Sequence, residues 1–180
     1  EFDGERRSYQ LHVPASYDGS TPVPVVLNFH GLTQTGELQR EQSKMDRKSD
    51  EEGFIVVYPN GVSNAWNSGG GISEADDVGF ARAVIDDVAA RGCIDRKRVY
   101  ATGMSNGGQM SHRLACEAAD VIAAVAPHSG GLRIDPSDCR PSRPIPILHF
   151  HGENDTIASF ESIPADIATW ARLNECTDES

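Results

Sequence analysis

No run of apolar residues in this 180-residue sequence approaches the roughly 20 needed to cross a bilayer, and that excludes a membrane-spanning helix. Basic residues are scarce: 16 Lys plus Arg stand against 27 Asp plus Glu, a net charge of −11. A sequence-independent hold on phosphate backbones or anionic lipid is therefore disfavoured, and neither nucleic acid nor a membrane is an expected partner. Cysteine is scarce too, and no C-x-x-C pair exists. Cys93, Cys116, Cys139 and Cys176 are spaced 23, 23 and 37 apart, which fits no zinc or redox motif. No internal repeat is visible. The chain opens at Glu1 with neither an initiator Met nor a basic and apolar leader, so any targeting segment is expected to have been removed or to lie upstream.

What remains is the composition of a globular protein, 38% hydrophobic and 24% charged, at a length that suits one domain spanning residues 1–180. An even cysteine count in an acidic chain suggests two disulfides and an oxidising, secreted setting. The alternative is four buried thiols acting as small hydrophobes.

Residues 8–13 alternate as a strand does. Residues 25–29 (Val-Val-Leu-Asn-Phe) and 54–58 (Phe-Ile-Val-Val-Tyr) are continuous and β-branched, as expected of strands buried on both faces of a parallel sheet. Between them, residues 37–52 are charged and predict a solvated helix ended by Gly53. Residues 59–71, with Trp66 and three consecutive glycines, read as a surface loop. Val78, Ala81, Ile85 and Val88 fall 3, 4 and 3 apart and define a helix with Asp76 and Asp77 as caps. Strand 98–102, helix 106–118, strand 121–126, strand 145–150 and a final helix carrying Ile163, Ile167, Trp170 and Asn174 complete the alternation, with no clear helix between residues 127 and 143. This order predicts an α/β fold: a mostly parallel sheet, helices on both faces, and ligands gathered at the carboxyl ends of the strands.

Those strand ends carry chemistry. Gly103-Met104-Ser105-Asn106-Gly107 matches G-x-S-x-G and sits directly between a strand and a helix. A serine on that turn is held in a strained conformation beside a helix N-terminus, and the flanking glycines let strand and helix approach closely. An ordinary turn with Ser105 as N-cap is the structural alternative. Acyl transfer also needs oxyanion donors. The loop His30-Gly31-Leu32-Thr33 would supply the Leu32 N–H to pair with that of Asn106. His30 itself is expected to brace this loop. A carboxylate after a later strand would orient an imidazole, and Asp155 is the candidate, with Glu153 a weaker one. Its structural alternative is a turn-forming Asp. His149 and His151, two apart on a strand with Glu153 and Asp155 nearby, raise a metal-dependent hydrolase as a rival. A structural use is expected instead, because His-Gly at a strand end recurs at His30-Gly31.

The segments His30–Thr35, Gly53–Pro59, Arg98–Gly108 and His149–Asp155 together resemble the polyhydroxybutyrate depolymerase and feruloyl or acetylxylan esterase family of α/β-hydrolases, from about residue 8 to the end. The resemblance implies a secreted serine carboxylic ester hydrolase working through an acyl-enzyme. Ser105 would be its nucleophile, Asp155 its triad acid, and Leu32 and Asn106 its oxyanion donors. Feruloyl, acetyl, hydroxybutyrate or short-chain esters would be its substrates, and no cofactor or metal is required.

In this fold the triad runs Ser, acid, His. The histidines are His12, His30, His112, His128, His149 and His151, and none follows Asp155. The expectation is a C-terminally incomplete domain lacking its last strand and base-bearing segment, with His128 as fallback base at the catalytic edge. A rival from another class is a binding module that keeps the pocket and recognises polymer or cell-wall esters through Trp66. Trp66 is read either as a platform for substrate or as a loop anchor in the core. Cys116 and Cys139 both lie toward the amino edge of the sheet and could bridge, closing a loop worth about 3 kcal/mol. Cys93 and Cys176 could pair, or Cys176 could join a cysteine further on; three connectivities stay open.

Overall fold

A computed structural model describes residues 1–177, organised around a five-stranded sheet. The elements run β1 (Tyr9–His12), β2 (Val23–Phe29), α1 (Gly36–Ser43), α2 (Met45–Glu52), β3 (Ile55–Pro59), α3 (Asp77–Arg91), β4 (Ile94–Met104), α4 (Asn106–Glu117), β5 (Ala124–His128) and α5 (Ile163–Leu173). Strand order is β1-β3-β2-β4-β5. Only β1 is antiparallel, pairing Tyr9 with Pro59. The β2–β4 register shifts between Val23 and Val25, at Pro24, which has no N–H for the ladder.

Side-chain alternation along β2 shows the layers. Val25, Leu27 and Phe29 are fully buried in a core shared with Val84 and Val88 of α3 and Met110 and Leu114 of α4. Asn28 points the other way, where its Oδ1 accepts from Gln39 Nε2 of α1 at 2.8 Å. On β3, Ile55 and Val57 join the core, while the Tyr58 hydroxyl donates to Asp46 of α2 at 2.8 Å. So α1 and α2 cover one face and α3 and α4 the other, as expected. The helix stripe on α3 is buried throughout: Val78, Ala81, Ile85 and Val88. Each such side chain removed from water contributes about 1.5–3 kcal/mol for valine-sized and larger groups.

Three elements differ from expectation. The predicted helix over 37–52 is two helices, broken at Lys44 in the left-handed region (φ 51°), because few apolar side chains tie it to the sheet. The strand expected over 121–126 begins at Ala124. The N–H groups of Val121 and Ile122 turn back to Ala118 O, so their apolar character serves the end of α4. Residues 145–150 form only isolated parallel bridges to β5, at Ile147 and Phe150. Pro144 and Pro146 carry no donor, and no described residue pairs with the outer side of this segment, where Leu148 is 62% and Phe150 49% exposed. The expected buried strand is thus an irregular edge.

Asp76 caps α3, accepting from Gly79 N–H at 2.8 Å. Asp77 does not. It is buried against Arg7 at 2.6 Å and accepts from Asn67 N–H at 2.7 Å, pinning the glycine-rich loop to the amino-terminal segment. Cys116 and Cys139 form a disulfide with Cα atoms 4.8 Å apart, whereas Cys93 and Cys176 are free thiols, so the second bridge proposed between them is not formed. Among the described residues no helix is long and apolar enough to cross a membrane.

Candidate active site

Ser105 sits where β4 ends and α4 begins, at φ 54° and ψ −116°, a region that side chains with a Cβ rarely occupy. Its surroundings force this. The Ser105 N–H donates to His128 O and its carbonyl accepts from Gln109 N–H, both at 2.9 Å. A Cβ on Gly103 would meet Phe29 O at 2.5 Å, and one on Gly107 would run into the Phe29 carbonyl and lie 2.7 Å from His30 O. Glycine at both positions is what lets α4 start against β2. Ser105 occupies the N-cap position of α4 as the structural alternative had it, but its hydroxyl makes no cap bond.

Leu32 and Asn106 line the same cavity as Ser105, about 450 Å³ in volume. Neither backbone N–H has an acceptor among the described residues, whereas Thr33 N–H and Gln34 N–H are both bonded. His30 is fully buried and braces the loop as expected: Nδ1 donates to Gly31 O at 2.7 Å and Nε2 accepts from Gly61 N–H at 3.0 Å. Burial holds its pKa below the ordinary value.

The Asn106 side chain has a role that sequence reasoning missed. Its Oδ1 accepts from Trp66 N–H at 2.8 Å, and its Nδ2 donates to Trp66 O at 3.2 Å and to Ser68 Oγ at 3.1 Å. Trp66 is fully buried, edge-on to Phe29 at 5.0 Å, with Nε1 donating to His30 O at 2.9 Å. The reading of Trp66 as a substrate platform is corrected: it is a loop anchor. The binding-module reading, which rested on Trp66, loses its aromatic surface.

Asp155 lies on a turn after the edge segment. Its Oδ1 accepts from Ile157 N–H and Ala158 N–H, both at 2.9 Å, and these donors hold its pKa below the usual carboxylate range. It is ionised at neutral pH, as a group that stabilises an imidazolium must be. The turn-forming reading is what these bonds show, and it leaves the carboxylate charged. Glu153 is exposed.

His128 does not face this cavity. It lines a separate one of about 270 Å³ with Asn28, Gln39 and Met104. The fallback base is thereby placed away from Ser105, because β5 presents alternate side chains to opposite faces. No histidine among the described residues bonds the Ser105 hydroxyl. His149 and His151 stack with their ring nitrogens 3.1 Å apart, lone pair against N–H, so they do not converge on a common point with Asp155. Among the described residues no group of three His, Cys, Asp or Glu is disposed to hold a metal.

The cavity wall also includes Gln109, Arg133, Asp166, Ile72 and Ile157, none of which the sequence singled out. Gln109 was recoverable, standing one helical turn after Ser105. Asp166, whose pKa is raised by burial, accepts from Leu132 N–H at 3.0 Å and came from a helix face expected to be apolar.

Known proteins are similar to this chain in sequence and in fold. A feruloyl esterase B of Piromyces equi is 32% identical over 195 residues, covering 96% of this chain and 36% of its own length. A bifunctional acetylxylan esterase/xylanase of Neocallimastix patriciarum is 30% identical over 172 residues, covering 94% and 25%. The chain thus spans only part of the length of these relatives. Among solved structures, an acetyl xylan esterase from Aspergillus awamori superposes with a TM-score of 0.77 at 17% identity, over 92% of this chain and 74% of that one, which shows the α/β-hydrolase fold. Residues 7–137 match the profile of the esterase PHB depolymerase family, and the chain belongs to that family.

Proposed function

We propose that the protein cleaves carboxylic esters through an acyl-enzyme on Ser105. The observation that carries this is the unbonded Ser105 hydroxyl, held at positive φ on the same cavity as two backbone N–H groups without acceptors. Ser105 Oγ attacks the ester carbonyl as a general base takes its proton, the Leu32 and Asn106 N–H groups receive the oxyanion, that proton passes to the alcohol as it departs, and water attacks the acyl-enzyme to release the acid and return the proton to Ser105. Asp155 is ionised and would orient the imidazole that serves as this base; no histidine among the described residues bonds the Ser105 hydroxyl.

The exposed apolar side chains Leu32, Ile72 and Ile157 around the cavity suit an acyl or aromatic acid portion. Together with the relatives' names, they support feruloyl, acetyl, hydroxyalkanoate or short-chain esters as substrates. The Cys116–Cys139 disulfide supports an exported protein. The test is a fluorophosphonate probe and p-nitrophenyl acetate, applied to the protein and to Ser105→Ala. Labelling at Ser105 and a rate above that of the variant are expected; equal rates and no label overturn the assignment.

A further inference from the structure

Three histidines that the proposed chemistry does not use form one continuous chain. Trp170 Nε1 on α5 donates to His112 Nδ1 on α4 at 3.0 Å. His112 Nε2 lies 3.3 Å from His149 Nδ1, and His149 Nε2 lies 3.1 Å from His151 Nδ1. His151 Nε2 then lies 2.7 Å from Ala158 O. The two ends set the polarity of everything between them. An indole N–H can only donate and a carbonyl can only accept, so each ring must carry its proton on Nε2 and present a lone pair at Nδ1. A second proton on any ring would set N–H against N–H. The chain is therefore intact only while all three rings are neutral.

Packing and burial agree with that requirement. The rings are stacked from Trp170 outward at interplanar angles of 16°, 27° and 9°. Burial pushes the His112 pKa down to about 3. Burial, then the neighbouring His151 and His128, push that of His149 down to about 4. The titratable groups facing the chain are His128, beside His149, and Asp155, whose Oδ2 is 3.6 Å from His151 Nε2.

The outer end matters because Ala158 belongs to the turn that holds Asp155. Ala158 N–H donates to the Asp155 carboxylate, and Ala158 O receives the last link of the relay. His151 and Ala158 both line the Ser105 cavity.

We propose that His112, His149 and His151 are positioning residues for the ester-cleaving site. They form a neutral imidazole relay, every ring in the Nε2–H form, that ties the Asp155–Ala158 turn to Trp170 in the core and releases it when a ring is protonated or removed. The positioning role rests on the reading of Ser105 and Asp155 above; the tautomer pattern does not.

Long-range proton–nitrogen correlation on ¹⁵N-histidine-labelled protein at pH 7 reads the pattern directly. His112, His149 and His151 should each show a pyridine-type Nδ1 and a pyrrole-type Nε2. His30, with Nδ1 facing a carbonyl, should show the reverse and serves as internal control. In His149→Phe, His151 should become a tautomer mixture, and fluorophosphonate labelling of Ser105 should slow by about tenfold as the turn loosens. His149→Gln, which keeps a donor and an acceptor, should recover most of that rate. In the unaltered protein, labelling should fall as the His149 imidazolium signal appears on acidification.

An Nδ1–H or protonated form of any of the three rings at pH 7 overturns the relay. A labelling rate that is unchanged in His149→Phe, or that persists once His149 is protonated, overturns the positioning role. Absence of labelling in the parent removes that role together with the esterase reading, while the tautomer pattern stands or falls by itself.

Discussion

Replacing Ser105 with glycine and with alanine separates backbone strain from side-chain chemistry. Both variants lose the hydroxyl, and because that hydroxyl makes no cap bond, its loss removes no stabilising contact at the helix end. They differ in what they leave at φ 54°, ψ −116°. Alanine keeps a Cβ in a sparsely populated region, at a cost of about 1–3 kcal/mol. Glycine relieves most of this strain, offset by about 0.4–1 kcal/mol for the greater freedom of an unfolded chain with glycine. The turn cannot relax to help alanine, since Ser105 N–H is fixed to His128 O, and α4 is seated against the Phe29 carbonyl at Gly107. Ser105→Gly should therefore be the more stable variant by about 1 kcal/mol, or about 2–4 °C in melting temperature for a domain of this size.

The assay is urea unfolding at pH 7, comparing midpoints at a common slope, with phosphonate labelling run alongside. Both variants should be unlabelled. An alanine variant as stable as the glycine one refutes the strain argument, and with it the idea that the fold holds the nucleophile in a costly conformation for the sake of its exposure.

Two further outcomes follow from buried charge. Asp77→Ala should cost about 3–5 kcal/mol, because Arg7, 4% exposed and stacked 3.8 Å over Phe80, is left without its partner; a loss within about 0.5 kcal/mol in urea unfolding would mean that Arg7 finds water instead. Acid should weaken the protein through His112: its folded pKa of about 3 lies below the unfolded value of 6.5, so between those limits the unfolded chain binds the extra proton and stability falls as pH drops. At about 1.4 kcal/mol per pH unit for a fully buried ring, the parent should lose about 3 kcal/mol more than His112→Phe between pH 7 and pH 4, and equal losses would show that His112 is charged or solvated when folded.

What could be read from the sequence was local. The Ser105 turn was legible because the glycine spacing, the strand before it and the helix after it describe one stretch of backbone geometry. The α3 stripe was legible because period and burial coincide on one helix. Asp77, Trp66 and His149 were not, for a shared reason: each owes its environment to a distant partner. Asp77 looked like a second cap beside Asp76 until Arg7, 70 residues earlier in the chain, took it. His149 looked buried in a strand, but residues 147–150 make only isolated bridges, and its ring is instead held between His112 and His151. A glycine-rich loop reads as surface by composition. Its glycines are indeed exposed, but Trp66 on it is buried, bonded to an amide 40 residues later in the chain.

That amide changes how the oxyanion donors are to be understood. Asn106 offers its backbone N–H to the cavity while its side chain holds Trp66 at both N–H and C=O. Trp66 in turn bonds His30 O, and the His30 ring fixes Gly31 and Gly61 around the Leu32 loop. The two donors, from loops far apart in sequence, are thus joined through buried side chains that cannot shift independently in a close-packed interior. On the proposed mechanism this is preorganisation: N–H groups fixed in advance lose little on reorganising as negative charge develops, which is where electrostatic stabilisation of a tetrahedral intermediate gains most. On that mechanism Trp66 would influence the ester through these donors, from a buried position out of contact with it.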